Sequence, residues 1–103
     1  MSFFSKRFSK GTIIDKTDCY NTKTGKYIER KHYGVVSTSD KNDTVFHIFT
    51  SVNKGNNKPI DKDKFSNDFV KRELSKPTYI TEPIFKKETK KLKRYKPGGK
   101  YDV

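Results

Sequence analysis

Alanine and tryptophan are absent from this 103-residue sequence and leucine occurs only twice. The residues that most readily pack one helix against another are therefore nearly missing, which argues against a helical bundle. Cysteine occurs once, as Cys19, so an intramolecular disulfide and any multi-cysteine zinc site are excluded. No stretch approaches the ~18 consecutive apolar residues of a membrane-spanning helix. The first ten residues carry Lys6 and Arg7 but lack the apolar core of a signal peptide, so the expectation is a soluble, cytoplasmic protein. Acidic residues are also scarce, 12 against 24 basic ones, which leaves a formal charge of +12.

What is present favours strands. Thr, Ile and Val together supply 23 residues, and these β-branched side chains suit a pleated, half-buried surface. With hydrophobic residues at 30%, burial must rest largely on eight Phe and six Tyr. At this length the chain forms one domain with one small aromatic core, in which Phe46, Phe49, Phe65 and Phe69 are expected.

The charge divides the chain into three parts. Residues 1–10 form a basic N-terminal segment of net +3, residues 11–85 carry thirteen basic and ten acidic side chains, and residues 86–103 carry +6. The middle part reads as the folded body. Residues 12–16 are a short strand, and residues 21–25 form a turn closed by Gly25. Residues 27–38 and 44–52 are two further strands flanking a turn at 39–43, and the second of them carries apolar residues on both faces, so both faces are covered. Residues 54–59 form a polar loop. Residues 61–74 place Phe65, Phe69 and Leu74 near one helical face with Lys71 and Arg72 in the last turn, which predicts a helix. Pro77 ends it, and residues 78–81 form a last short strand. Residues 86–96 read either as a basic helix with Phe85, Leu92 and Tyr95 inward or as a solvated arm, stopped by Pro97-Gly98-Gly99. The fold class is mainly β within α+β: a small antiparallel barrel with one inserted helix and a basic C-terminal element.

A surplus of cations on one small domain is self-repelling and is relieved by a polyanion. Nucleic acid fits, because phosphate neutralisation releases condensed counterions. Twenty Lys against four Arg point to backbone contacts more than to bidentate reading of bases. Lys16, Lys26, Lys31, Lys54 and Arg94 are the candidate nucleic-acid-binding residues. Tyr20, Tyr27 and Tyr33 lie interleaved with Lys16, Lys23, Lys26 and Lys31, a composition suited to stacking single-stranded bases.

A turn centred on Lys41 pairs residues whose numbers add to 82. Val36 then lies opposite Phe46, His32 opposite Thr50 and Arg30 opposite Val52, and Arg30, His32 and Thr50 share one face near the open strand ends. A one-residue slip would present Lys31, Tyr33 or Ser51 instead. Cleaving RNA requires removal of the 2′-hydroxyl proton, stabilisation of a pentavalent phosphorane and protonation of the leaving 5′-oxygen. Arginine and a hydroxyl serve the second need, and histidine carries protons near neutrality. A metal set built from His32, His47, Asp15 or Asp18 lacks clustered carboxylates, so no metal and no other cofactor is expected.

Three runs carry a resemblance: Lys10-Gly11-Thr12-Ile13-Ile14, residues 25–37 around Glu29-Arg30-Lys31-His32, and Val45-Phe46-His47-Ile48-Phe49-Thr50-Ser51. Together with Ser75-Lys76-Pro77-Thr78-Tyr79-Ile80 they resemble the MazF/PemK-like toxins, ToxN-type toxins included. The resemblance implies an SH3-like barrel over residues 11–85 and metal-independent cleavage of single-stranded RNA to a 2′,3′-cyclic phosphate. It further implies that Arg30 serves proton transfer or charge stabilisation and that Thr50, helped by Ser51, holds the scissile phosphate. A homodimer and an antitoxin partner go with it. Two positions depart from the pattern: Lys31 stands where proline is common after the arginine, and Thr12 where an acid is usual after the first glycine. The alternative reading is a non-enzymatic phage or mobile-element protein that binds nucleic acid or inhibits a host nucleic-acid enzyme.

Overall fold

Each strand is built from runs of β-branched and aromatic residues interrupted by turns whose side chains satisfy their own backbone. The computed structural model describes residues 7–69, 73, 74 and 76–103. Six strands are present among them: β1 (Ile13–Asn21), β2 (Lys26–Ser39), β3 (Asp43–Thr50), β4 (Lys58–Pro59), β5 (Tyr79–Ile80) and β6 (Phe85–Glu88). They form one antiparallel sheet in the order β2-β1-β6-β3-β5-β4, and β2 also pairs with β3. The four strands β1, β2, β3 and β6 thereby close into a ring. Among the described residues no helix is long and apolar enough to cross a membrane.

The β1–β2 turn follows from Asn21, whose side-chain oxygen accepts from the amides of Lys23 and Thr24 at 2.9 and 3.1 Å, and from Gly25 at φ +73°. In the β2–β3 turn Asp40 does the same for Asn42 and Asp43, and these bonds hold its carboxyl below the usual range. The turn is closed from behind by a one-way chain of hydroxyls. Thr89 donates to the Asp40 carbonyl at 2.7 Å, so Thr44 must donate to Thr89, Ser39 to Thr44, and the Phe8 amide to Ser39.

Side chains alternate across a strand, so neighbouring apolar residues enter different cores. Ile14, Val36, Phe46, Ile48, Phe85 and Leu92 build one cluster, which also contains Cys19. Ile13, Val35, Phe49, Phe69, Tyr95 and Tyr101 build the other. The expected aromatic core is thus present as two, with Phe46, Phe49 and Phe69 buried and Phe65 packed against the second cluster.

Residues 61–68 do not form the first turns of the expected helix. Asp61 accepts from the Asp63 amide and starts a single 3-10 turn, Lys62–Lys64, after which Phe65 bridges to Tyr101 and the Ser66 amide donates to the Lys100 carbonyl at 2.9 Å. Pairing with the chain's end replaces helical hydrogen bonds there. Lys71 and Arg72 lie outside the described residues. The basic C-terminal element is neither helix nor arm. It contributes β6, a 3-10 turn at Thr89–Lys91, and an extended stretch that bonds along β1 through Asp15 N to Lys93 O and Tyr95 N to Ile13 O, each 2.9 Å. Leu92, Tyr95 and Tyr101 are its buried anchors.

The β2–β3 register decides where a site can form. Gly34 pairs with Ile48, Val35 with His47 and Val36 with Phe46, as the sum of 82 requires. Nearer the turn the register changes by one, Ser39 pairing with Thr44, and a bulge between Val36 and Thr38 absorbs the difference. Beyond Gly34 the two strands part. β2 continues on β1, with His32 opposite Thr17 and Ile28 opposite Cys19, while Phe49 and Thr50 pair with Ile80 and Tyr79 of β5. The expected pairs His32 with Thr50 and Arg30 with Val52 are therefore not ladder partners.

Gly34 sits at this fork, where a Cβ would lie 2.8 Å from the Phe46 ring and 3.1 Å from the His47 carbonyl. Gly34→Ala is expected to destabilise the fold by about 1–3 kcal/mol through overpacking, measured by urea unfolding. An unchanged midpoint would show that the ring yields freely.

Candidate functional site

The gap left by the parting strands is an open cleft of about 480 Å³. Arg30, His32, Thr50 and Ser51 all line it, together with Lys16 and Lys31. Its floor is the second aromatic cluster, through Phe49, Tyr33 and Leu74. Arg30 and Ser51 are exposed and His32 and Thr50 half-buried, so each is accessible to a ligand. His32 and Thr50 also line a neighbouring cleft of about 640 Å³, which holds Lys54 and whose floor is Ile48 and Phe85 of the first cluster. The two residues stand on the wall between the clefts.

The state of His32 follows from its neighbour. Its Nδ1 lies 2.9 Å from the Arg30 carbonyl oxygen, which only accepts, so Nδ1 carries the proton and donates. In the neutral ring Nε2 then holds a free lone pair, the form a general base needs. Burial lowers the His32 pKa below its ordinary value of 6.5, opposed by that hydrogen bond and assisted by the Arg30 charge, so the ring is neutral near pH 7. Thr50 Oγ1 accepts from the Val52 amide at 3.2 Å, which leaves its own proton to donate to an anion.

Tyr33 has a different part from the stacking role expected of it. Its ring packs edge-on against Phe69 and Tyr95 at 5.0 and 5.7 Å, with the Lys16 ammonium 5.2 Å from its centroid. Its hydroxyl donates to Glu73 at 2.6 Å, and the Tyr95 hydroxyl donates to the other oxygen of the same carboxylate at 2.8 Å. Burial first, and Glu73 second, push the Tyr33 hydroxyl far above the ordinary tyrosine range. Glu73 thus clamps one wall of the cleft. Nothing in the spacing of Tyr33, Glu73 and Tyr95 signals this, because the contacts join segments 40 and 22 residues apart.

The remaining predicted residues divide. Lys16 and Lys31 are at the cleft and Lys54 beside it, whereas Lys26 starts β2 opposite Asn21 and Arg94 bridges to Ile14, neither lining the cleft. His47 is turned elsewhere, with Nδ1 donating to the Thr81 carbonyl at 2.8 Å. Cys19 is fully buried and burial pushes its thiol up to about 11, so it is inert as a nucleophile. Among the described residues no three His, Cys, Asp or Glu side chains cluster as a metal site would require. No family model, curated protein or solved structure matches the chain.

His32 and His47 both have pKa values lowered chiefly by burial, so the unfolded chain binds more protons than the folded one as pH falls below 6.5. The stability these rings contribute is complete above that value and is lost as pH falls through their folded values. Urea unfolding is expected to show stability declining from pH 7 toward about pH 5, before the carboxylates titrate. His47→Asn keeps a donor for the Thr81 carbonyl and is expected to flatten the decline. The same slope in His32→Asn and His47→Asn as in the parent protein would refute the assignment.

Proposed function

We propose that the chain is a metal-independent endoribonuclease that cleaves single-stranded RNA to a 2′,3′-cyclic phosphate, on a small SH3-like barrel of the MazF/PemK type. What supports the reading is that Arg30 and His32 of β2, Thr50 at the end of β3 and Ser51 just after it line one open cleft, with the imidazole held in the tautomer that leaves Nε2 unprotonated. In this mechanism Nε2 of His32 removes the 2′-hydroxyl proton and the 2′-oxygen attacks the adjacent phosphorus. The Arg30 guanidinium and the Thr50 and Ser51 hydroxyls bind the non-bridging oxygens, whose charge grows in the phosphorane. The 5′-oxygen departs with a proton from water or from the ammonium of Lys16 or Lys31, both at the cleft. Lys54 extends the positive surface for the strand, and Lys26 and Arg94 contribute long-range attraction. By the same resemblance the protein acts in the cytoplasm as a homodimer restrained by an antitoxin.

A second reading, a module that binds RNA without cutting it, is favoured by Thr12. At the position where the toxin pattern has an acid, its side chain is sealed at 2% exposure and hydrogen-bonded to Ser9 at 3.0 Å, remote from solvent.

Incubation of the protein with mixed-sequence single-stranded RNA in EDTA, followed by identification of the product ends, separates the two. Cyclic phosphate ends are expected, with Arg30→Ala and Thr50→Ala each slower by on the order of a hundredfold or more. Folding and binding of a non-cleavable 2′-deoxy strand are expected to survive both changes. Intact RNA with the parent protein, or undiminished cleavage by the double variant, would overturn the nuclease reading.

A further inference from the structure

A second cleft, of about 300 Å³, adjoins the first and shares Lys16 and Lys31 with it. Its far wall is β6, which brings in Lys87, and the segment after it, which brings in Lys91 and Lys93. Asp15 and Asp18 are its acids, and the latter is occupied: the Asp18 carboxylate takes both the Lys87 ammonium and the Tyr27 hydroxyl. The Lys91 ammonium lies 3.4 Å from Glu88 in an exposed pair, an interaction of little strength in water. Lys31 and Lys93 form no ion pair among the described residues. The cleft therefore holds uncompensated positive charge.

Tyr27 does not line the cleft but adjoins it through two residues that do, Asp18 and Lys87. The ring is 54% exposed, the most of any large apolar side chain described, yet it is fixed at both ends. Its hydroxyl is tied to Asp18, the Lys87 ammonium lies 5.8 Å from the ring centroid, and Tyr20 faces it across the β1–β2 ladder. A half-exposed aromatic ring, anchored through its hydroxyl beside a lysine-lined groove, is the arrangement that holds single strands, because every base has a π face and every linkage a charge. A duplex would present no free base face to it.

We propose that this cleft is a second nucleotide subsite for single-stranded RNA, in which Lys31, Lys91 and Lys93 hold a backbone phosphate and Tyr27 stacks an unpaired base. The inference rests on the nuclease reading in one respect, that the strand it holds is the one whose scissile linkage lies in the first cleft. Lys16 and Lys31, common to both clefts, carry the backbone between them.

The test uses Tyr27→Ala, Tyr27→Phe and the double variant Lys91→Ala/Lys93→Ala in the full chain. Binding is read by fluorescence anisotropy, against salt, with a non-cleavable 2′-deoxy strand of about a dozen nucleotides, a length within reach of such grooves. Tyr27→Ala is expected to weaken binding on the order of tenfold, and Tyr27→Phe to restore it. The lysine double variant is expected to lower the log–log salt slope by about 0.7 for each lysine removed. Cleavage of a ribodinucleotide, too short to reach the second cleft, stays at the parent rate in all three variants, while kcat/KM on the longer RNA falls in step with affinity. Equal losses for Tyr27→Ala and Tyr27→Phe would reassign the residue to its bond with Asp18 and overturn the stacking role. An unaltered salt slope, or an equal loss on duplex RNA, would overturn the subsite. Should the parent protein cut neither substrate, the nuclease reading fails, while affinity and salt slope still decide the subsite.

Discussion

Where β2 reaches Gly34, the Phe46 ring occupies the space a Cβ would take, and the ladder with β3 ends at the Gly34–Ile48 pair. Every feature of the candidate site depends on that close approach. It lets Phe46 fill the first cluster while β2 bends away onto β1, and β1 accommodates the bend through register shifts on both sides of Thr17. β3, released from β2, turns its last two residues to β5. Two strands that would have covered each other's side chains instead present them across an opening, with Ile48 and Phe49 directing the two hydrophobic floors to either side of one wall.

The acidic residues explain why so much positive charge remains at the surface. Asp40 is committed to a turn, Asp61 to a 3-10 cap, Glu73 to two tyrosine hydroxyls and Asp18 to Lys87 and Tyr27. Each carboxylate thus stabilises local backbone or fixes an aromatic ring. With Asp18 taken by Lys87, Asp15 is the remaining acid lining the second cleft beside Lys16, Lys31, Lys91 and Lys93, and the chain's +12 is compensated only by ions from solution or by a polyanion. The same economy argues against the lysines serving as structural ion pairs: of three salt bridges between described residues, two are exposed contacts with Glu88.

The sequence made the site legible where interactions are local or periodic, and silent where they are not. The register through Val36 and Phe46 followed from turn position and alternation, although the turn itself is shifted by one residue and a bulge restored the match. Counting could not reveal that pairing stops at Gly34, since that depends on a ring two residues along the partner strand. The helix expected over residues 61–74 rested on Phe65 and Phe69, four apart. Those rings do stack, at 5.4 Å and 10°, but the backbone between them is bridged to Tyr101 and hydrogen-bonded to Lys100. An apolar pair at that spacing is satisfied equally by a helix and by a loop pinned from outside, and only the tertiary partner decides. For the same reason the chain's end allows either a basic helix with Leu92 and Tyr95 inward or a solvated arm; both residues are buried, but on an extended stretch. Its buried residues, Leu92, Tyr95 and Tyr101, fall at spacings set by the edge of β1 and not by any period of its own.

The proposed chemistry draws on an economy within a single strand. Residues two apart in a strand project to the same side, so Arg30 and His32 reach the same opening, while Lys31 between them lines both that opening and the lysine-lined groove. Arg30 acts there twice: its carbonyl fixes which imidazole nitrogen is bare, and its side chain supplies the cation. The two contributions are separable, because the carbonyl belongs to whatever residue occupies the position. A lysine in its place would keep the tautomer of His32 and one positive charge but lose the planar fork that spans two phosphate oxygens. If the phosphorane is the species this cleft favours, the deficit of such a variant would appear in the chemical step and leave the pH at which His32 titrates little changed. That separation would distinguish a guanidinium that binds developing charge from one that merely sets the base.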